Sequence, residues 1–140
     1  MVQNANIKLL EMASIFSKIV NGEIPSHKIA ETDEFLAFLD AFPIAIGHTL
    51  VIPKKEVDYL FDLDDDTYSR LLLFAKSIVP ALQKTVPCLR IGVSVIGLEV
   101  PHAHVHLLPL NSMADADFSK KIKISQEELA ALATRIRENF

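Results

Sequence analysis

The longest stretch of helical periodicity in the chain predicts one main helix. It follows Asp64–Asp66, acidic residues that favour a helix start, and its apolar positions are Tyr68, Leu71, Leu72, Ala75, Ile78, Val79 and Leu82. Pro80 interrupts the pattern. The helix is therefore predicted either to kink at Pro80 or to end near Val79 and resume as a short second piece.

Two shorter stretches also predict helices. Residues 13–20 predict a short helix that ends at Asn21-Gly22. Residues 126–138 predict a C-terminal helix, because Ser125 stands in the N-cap position and Glu128 follows three residues later, which is the capping-box pattern.

The remaining apolar runs are short and predict strands. They cover residues 28–31, 35–39, 49–52, 89–96 and 100–110. Short gaps favour antiparallel neighbours, and strands and helices do not alternate regularly. The chain is therefore predicted to be an α+β protein, with a mostly antiparallel five-stranded sheet, a main helix and a C-terminal helix.

The composition fits one globular domain. The chain has 140 residues, of which 50% are hydrophobic and 23% are charged, and this leaves little room for two cores. Residues 1–12 are unpatterned and predict a flexible N-terminal extension, with the domain over residues 13–140. Leu73 and Phe74 widen the apolar stripe of the main helix, so a homodimer is expected.

Charge and cysteine content argue against several classes of protein. A formal net charge of −4 argues against a broad basic surface for nucleic acid. The single cysteine, Cys88, excludes an internal disulfide and favours a cytoplasmic location. The N-terminus lacks a signal-peptide pattern, and the most apolar run, residues 35–46, is too short and too interrupted to span a membrane.

Three of the five histidines, His102, His104 and His106, alternate with apolar residues. On a strand their rings would form a row on one face, while Ala103 and Val105 would face the core. A half-exposed strand whose polar face happens to carry histidine explains a single histidine better than three in five residues.

Two chemical interpretations of the row stay open. The histidines could bind zinc, with Asp40, His48 or Glu99 as a further ligand. Alternatively, a neutral imidazole attacks phosphorus while its neighbours stabilise charge on the phosphoryl oxygens. An imidazole suits both tasks of the second interpretation, because its pKa of about 6.5 lies close to neutral pH.

Three ordered motifs resemble the histidine-triad (HIT) superfamily, in particular its HINT-like branch. Residues 101–108 (PHAHVHLL) are similar to the triad signature. Residues 15–19 with 23–25, and residues 35–40 followed by 47–55, resemble the N-terminal half of that branch in order and spacing. The resemblance implies a HIT-like homodimeric fold with one nucleotide site per subunit. No cofactor is expected.

The resemblance also implies a chemistry and a set of site residues. The expected activity is hydrolysis or transfer at the α-phosphorus of a nucleoside phosphoramidate or dinucleoside polyphosphate, through a nucleotidyl-histidine intermediate. His104 matches the nucleophile, His102 and His106 match its flanking partners, and His48 matches a supporting histidine. A purine nucleotide is the expected ligand, and the residues that match its pocket are Asp40 for the ribose hydroxyls and Phe16, Ile19, Ile24 and Phe38 for the base.

The chain departs from the HINT-like pattern at two polar positions and at the zinc site. The glutamine that usually precedes the triad is Leu98, and an upstream asparagine falls on Ile91, so Ser94 and Glu99 are the nearest polar substitutes. Losing one donor to a developing charge typically costs about 10²–10³ in rate. The alternative is therefore a non-catalytic or weakly catalytic nucleotide-binding module. The zinc-binding cysteines of some relatives are absent, so no metal is expected.

Overall fold

A computed structural model of the chain describes residues 13–140, so the predicted extension of residues 1–12 lies outside the described part. The described strands are β1 (His27–Glu31), β2 (Phe35–Leu39), β3 (Thr49–Pro53), β4 (Arg90–Ser94) and β5 (Val105–Leu110). The described α-helices are α1 (Ile15–Val20), α2 (Asp65–Thr85) and α3 (Gln126–Glu138), with short 3₁₀ turns at Leu60–Asp62 and Met113–Ala116. The strands form one antiparallel sheet in the order β1-β2-β3-β5-β4, which confirms the predicted α+β class.

The central strands β2 and β3 are buried on both faces, since all residues of both are buried. One face packs against α2 and α3, and its core includes Ala37, Leu39, Val51, Val105 and Leu107. The other face carries Leu36, Phe38, Leu50 and Ile52, on which Phe16 and Ile19 of α1 pack. Alternation of side chains along each strand explains this division. The helix α1 therefore covers the face of the sheet on which the two longer helices do not pack.

The helix α2 continues through Pro80 to Thr85, so of the two predicted alternatives the end near Val79 is wrong. The proline ring leaves the carbonyl of Lys76 without its helical donor, but both residues are exposed and water can hydrate that carbonyl. The helix starts as predicted, because the side chain of Asp64 accepts a hydrogen bond from the main-chain N–H of Thr67 at 2.8 Å.

The C-terminal helix α3 has the predicted bounds and the predicted capping box. Ser125 accepts from the main-chain N–H of Glu128, and the Glu128 carboxylate accepts from the N–H of Ser125. At its other end, the guanidinium of Arg137 donates to the carbonyl of Lys28 in β1. The helix therefore covers part of the β1 edge. None of the described helices has both the length and the apolar character needed to cross a membrane.

Candidate active site

The predicted strand over residues 100–110 begins only at Val105, so His106 alone among the triad lies in β5. The register pairs Val51 with Val105, and continuing it would set Ala103 opposite Pro53. Proline has no N–H to donate, so the ladder ends there. The N–H of Ala103 donates instead to the carbonyl of Val57 at 2.7 Å. The predicted strand over residues 89–96 is shortened likewise, to Arg90–Ser94.

A cavity of about 460 Å³ opens on the α1 face of the sheet. Six of the predicted site residues line it, namely Phe16, Ile19, Phe38, Asp40, His104 and His106. Four do not line it, namely Ile24, Ser94, His48 and His102. The predicted residues therefore divide into those that a ligand could contact and those that lie behind them.

Ile24 and Ser94 miss the cavity for local reasons. Ile24 follows α1 and packs at the margin of the apolar cluster under that helix. Ser94 is the last residue of β4 and pairs with His106 across the ladder. Ser94 therefore lies beside β5 and does not line the cavity. The sequence had predicted it as a polar residue that contacts the nucleotide.

The hydrogen bond at His104 fixes which ring nitrogen is free. Its Nδ1 atom lies 2.6 Å from the main-chain carbonyl oxygen of His102. A carbonyl oxygen only accepts, so Nδ1 carries the proton and Nε2 keeps its lone pair. Nε2 has no hydrogen-bond partner among the described residues and is not a buried atom. The ring therefore presents an unprotonated nitrogen to the cavity that it lines.

His48 and His106 form a second fixed pair. The main-chain N–H of Ile44 donates to Nδ1 of His48 at 3.2 Å, so His48 carries its proton on Nε2. That atom lies 2.9 Å from Nδ1 of His106, which must then accept. His106 therefore carries its own proton on Nε2, an atom without a partner among the described residues and open to the cavity. It can donate to an anionic ligand oxygen.

Burial keeps these two rings neutral. The pKa of His48 and the pKa of His106 are both lowered to about 3, and desolvation by burial is the largest cause in each case. Positive charge on Lys121 or His104 would act in the same direction. At pH 7 the pair thus offers one aligned N–H donor rather than a cation.

Gly47 sets the position of His48. Its φ is +86°, a conformation that favours glycine. A Cβ added there would lie 2.9 Å from Cγ2 of Val86 and 3.1 Å from Cγ of Pro109. The turn therefore needs glycine both for its backbone conformation and because Val86 and Pro109 leave no room for a side chain at this position.

His102, predicted as a flanking partner of the nucleophile, does not line the cavity. Its Nε2 donates to the carbonyl of Pro53 at 2.7 Å, and its Nδ1 lies 2.8 Å from Oγ of Ser14. Both ring nitrogens are thus occupied, and the ring is fully buried. Burial lowers its pKa despite the opposing Pro53 carbonyl and Glu56 charge. His102 acts on the site through its main-chain carbonyl, which holds His104.

Sequence reasoning missed the cluster behind His102. The Glu56 carboxylate accepts from the N–H of Ser14 at 2.6 Å and from Oγ of Ser17 at 2.8 Å. These bonds hold the start of α1 against His102 and lower the pKa of Glu56. The available signal was Ser14 as an N-cap, but nothing in the sequence links it to a histidine 88 positions away.

Two aromatic rings and one carboxylate complete the site. Phe16 contacts the rings of His102 and His104 edge-on, with centroids 5.9 and 5.0 Å apart. Phe118, which the sequence did not indicate, packs edge-on against His106 at 4.8 Å. Oδ2 of Asp40 lies 3.5 Å from Nε2 of His48, and Oδ1 accepts from the N–H of Phe42. Asp40 therefore has a fixed orientation at the cavity wall.

The geometry does not suit a zinc ion on the three triad histidines. His102 uses both ring nitrogens, and Nδ1 of His104 is bound to a carbonyl. Within residues 13–140, the ligand atoms that do approach one another belong to Asp40, His48 and His106, all within 4.8 Å. A metal on that group would have to replace the hydrogen bond between the two histidines.

Known proteins resemble this chain over most of its length. The chain matches the HIT domain family over residues 21–113. It is 36% identical to an uncharacterized HIT-like protein of Borreliella burgdorferi, over 90% of this chain and 97% of the relative. It is also 36% identical to adenosine 5'-monophosphoramidase HNT1 of Saccharomyces cerevisiae, over 88% of this chain and 85% of the relative.

A solved structure has the same fold. The HIT-like protein of Bartonella henselae is 32% identical to this chain, has a TM-score of 0.78, and matches over 91% of this chain and 96% of its own. The site of this chain consists of buried histidines beside a cavity on a five-stranded antiparallel sheet. The chain belongs to the HIT family.

Proposed function

We propose that the chain hydrolyses nucleoside phosphoramidates at the α-phosphorus through a nucleotidyl intermediate on His104. The observation that carries the proposal is the hydrogen bond from Nδ1 of His104 to the carbonyl of His102, which leaves Nε2 as a lone-pair nitrogen facing the cavity. The name of the yeast relative, an adenosine 5'-monophosphoramidase, supports the same substrate class.

The proposed reaction has two displacements. Nε2 of His104 forms a bond to phosphorus as the P–N bond to the leaving amine breaks, and the amine takes up one proton from solvent. Water then attacks the same phosphorus, the bond to Nε2 breaks, and one proton returns to solvent. His106 donates its Nε2 proton in a hydrogen bond to a phosphoryl oxygen in both steps, with its orientation fixed by His48.

The nucleoside is proposed to occupy the cavity under α1. Phe16, Ile19 and Phe38 form an apolar wall there, and Asp40 is the carboxylate that can accept from ribose hydroxyls. This arrangement suits a purine nucleoside. Ile24 and Ser94 are left out of the proposed contact set because neither lines the cavity.

A second candidate is a module that binds nucleotides without turnover. Leu98 supports it, since its apolar side chain stands on the cavity wall where the family pattern has a hydrogen-bond donor. The two candidates separate in one assay. Calorimetric binding of an adenosine phosphoramidate without release of AMP would favour the module, whereas multiple turnovers would reject it.

Trapping the intermediate tests the proposal. A slowly hydrolysed phosphoramidate is mixed with the protein, and the reaction is quenched under conditions that preserve phosphohistidine. The protein is then digested and the masses of its peptides are measured by mass spectrometry. We expect an adenylyl adduct on His104, because this ring alone in the triad has a free lone pair facing the cavity. An adduct on His102 or His106, or turnover without any adduct, would contradict the mechanism.

We also propose that the chain forms a homodimer. The strand β4 pairs only with β5 among the described strands, so its other edge is open. Leu89 and Val93 near that edge are exposed, and so is Leu73 on α2. An open edge bordered by apolar side chains is a site for pairing with a second copy. Phe74, by contrast, stacks on Phe35 inside the subunit.

Light scattering checks the dimer. The expected mass is twice that of one chain, and Val93→Arg should reduce it to the monomer, because a charge at the contact disfavours pairing. Met113→Arg is the matched control, since Met113 is also exposed but lies after β5. A monomeric wild type, or equal effects of the two variants, would contradict the proposed interface.

We further propose that the protein is cytoplasmic and that its domain covers residues 13–140, with residues 1–12 as an N-terminal extension. The lone cysteine, Cys88, supports a reducing compartment.

A further inference from the structure

The carboxylate of Glu56 joins the first helix to the triad histidines. Its Oε1 atom accepts from the main-chain N–H of Ser14 at 2.6 Å and from the hydroxyl of Ser17 at 2.8 Å. Oγ of Ser14 in turn lies 2.8 Å from Nδ1 of His102. Glu56 does not line the cavity, so any effect that it has on the site must pass through these contacts.

The direction of each hydrogen bond in this cluster is fixed. Nε2 of His102 donates to the carbonyl of Pro53, so Nδ1 is unprotonated and accepts the hydroxyl proton of Ser14. Oγ of Ser14 also accepts from the N–H of Ser17 at 3.0 Å, as the N-cap of α1. Each donor therefore has an acceptor, and the His102 ring is held in one orientation.

The main chain of His102 connects this cluster to the nucleophile. Its carbonyl oxygen lies 2.6 Å from Nδ1 of His104, which keeps the proton on Nδ1 and the lone pair on Nε2. Residues 102–104 precede β5, so the sheet ladder does not hold them. The N–H of Ala103 bonds instead to the carbonyl of Val57, the residue that follows Glu56. The segment that carries Glu56 therefore fixes the main chain on which His104 depends.

The same carboxylate holds the helix that forms part of the cavity wall. The helix α1 has six residues, too few to be stable without tertiary contacts. Two hydrogen bonds near its N-terminal end go to Glu56. Its Phe16 packs edge-on against the rings of His102 and His104. The helix and the nucleophile are thus attached to one hydrogen-bonded cluster.

We propose that Glu56 is a positioning residue, which keeps His104 in the tautomer that can attack phosphorus. It acts through the hydroxyl of Ser14 and the main chain of His102, and it does not touch the substrate. Without this carboxylate, Ser14 and Ser17 lose a common acceptor and the His102 carbonyl is held less firmly. The His104 ring can then carry its proton on either nitrogen, and only one of the two forms is nucleophilic toward the cavity. The inference rests on the proposed hydrolysis at His104.

The tautomer of His104 is the direct readout. In a protein with ¹⁵N-labelled histidine, long-range ¹H–¹⁵N spectra distinguish a protonated ring nitrogen from an unprotonated one. The signals that are absent from His104→Ala identify the ring. We expect the wild type to show a single form with Nδ1 protonated, and Glu56→Ala to show a mixture of the two neutral forms. A carboxylate that only stabilises the fold would leave the tautomer of the folded protein unchanged.

The same variant should turn over more slowly. A wrong tautomer of a catalytic histidine costs up to about 10⁴ in kcat, so we expect Glu56→Ala to lower kcat for an adenosine phosphoramidate by at least about tenfold. The Kd for AMP should change much less, because Phe16 and Ile19 stay packed on the sheet. Glu56→Gln should recover most of the rate, since its side-chain oxygen can still accept from Ser14 and Ser17.

Glu34→Ala is the matched control. The Glu34 side chain is 47% exposed, against 39% for Glu56. Glu34 also joins two elements, because it accepts two hydrogen bonds from Arg70 of α2, and it does not line the cavity. Its loss should leave the His104 tautomer and kcat unchanged. Should Glu56→Ala not fold, Ser17→Ala removes one of the two bonds to Glu56 and should shift both readouts in the same direction by less.

The outcomes separate the inference from the proposed hydrolysis. If AMP is released but Glu56→Ala keeps the wild-type tautomer and kcat, Glu56 does not position the nucleophile, and the proposed hydrolysis stands. The same conclusion follows if Glu56→Gln loses as much rate as Glu56→Ala, or if Glu34→Ala loses as much. If the wild type releases no AMP, the proposed hydrolysis is itself wrong, and the inference is overturned with it.

Discussion

The variant His104→Ala is expected to lose turnover while it keeps its affinity for AMP. The side chain supplies the attacking nitrogen, and removing a nucleophile typically costs at least about 10⁴ in kcat. No other described ring is placed to substitute for it, because His102 has both nitrogens bound and His106 carries its proton on the cavity side. Steady-state release of AMP from an adenosine phosphoramidate measures the loss.

Affinity distinguishes a lost nucleophile from a damaged pocket. The proposed nucleoside contacts are Phe16, Ile19, Phe38 and Asp40, and Phe16 packs edge-on against the His104 ring. Calorimetry with AMP should therefore give a Kd within a few-fold of the wild-type value. Retention of turnover in His104→Ala would remove the covalent mechanism, and loss of AMP binding would show that the ring holds the pocket instead.

The fold was predictable from the sequence because its determinants are local. The apolar spacing from Tyr68 to Leu82 and the capping box of Ser125 and Glu128 each act within one helix, so a window of a few residues contains the needed information. The start of β5 at Val105 was not predictable in the same way. It depends on Pro53, a residue of another strand whose missing N–H matters only once the register is known.

The histidines of the candidate site were predictable from the sequence, but their separate roles were not. The sequence shows that His102, His104 and His106 alternate with apolar residues, so the histidines and the apolar residues are expected on opposite faces of a strand. Which ring faces the ligand depends on partners far along the chain, above all Ser14 for His102 and His48 for His106. Such pairings arise from the tertiary fold, and no periodicity carries them.

The buried histidine pair should make the free energy of unfolding fall steeply in mild acid. His48 and His106 have pKa values of about 3 in the folded chain, against an ordinary value of 6.5 for histidine. Between these values the unfolded chain binds more protons than the folded one, so stability is complete above about pH 6.5 and is lost as the pH falls toward 3. Each histidine contributes a slope of about 1.4 kcal/mol per pH unit in that window.

Summed over the two rings, the expected loss between pH 6.5 and 4.5 is about 5 kcal/mol, a large part of the roughly 5–15 kcal/mol of a typical domain. His102 acts in the same direction, since its pKa is also lowered. Urea unfolding at pH 7, 6.5, 6 and 5.5 measures the slope above the range near pH 4.5 where carboxylates such as Glu56 begin to contribute.

The variant His106→Asn isolates the cause, because the asparagine side-chain oxygen can still accept from Nε2 of His48 while it cannot take up a proton. The slope should then decrease by about 1.4 kcal/mol per pH unit, the share of one histidine. An unchanged slope would mean that His106 is not held neutral in the folded chain. In that case His106 could not act as the neutral N–H donor that the proposed mechanism assigns to it.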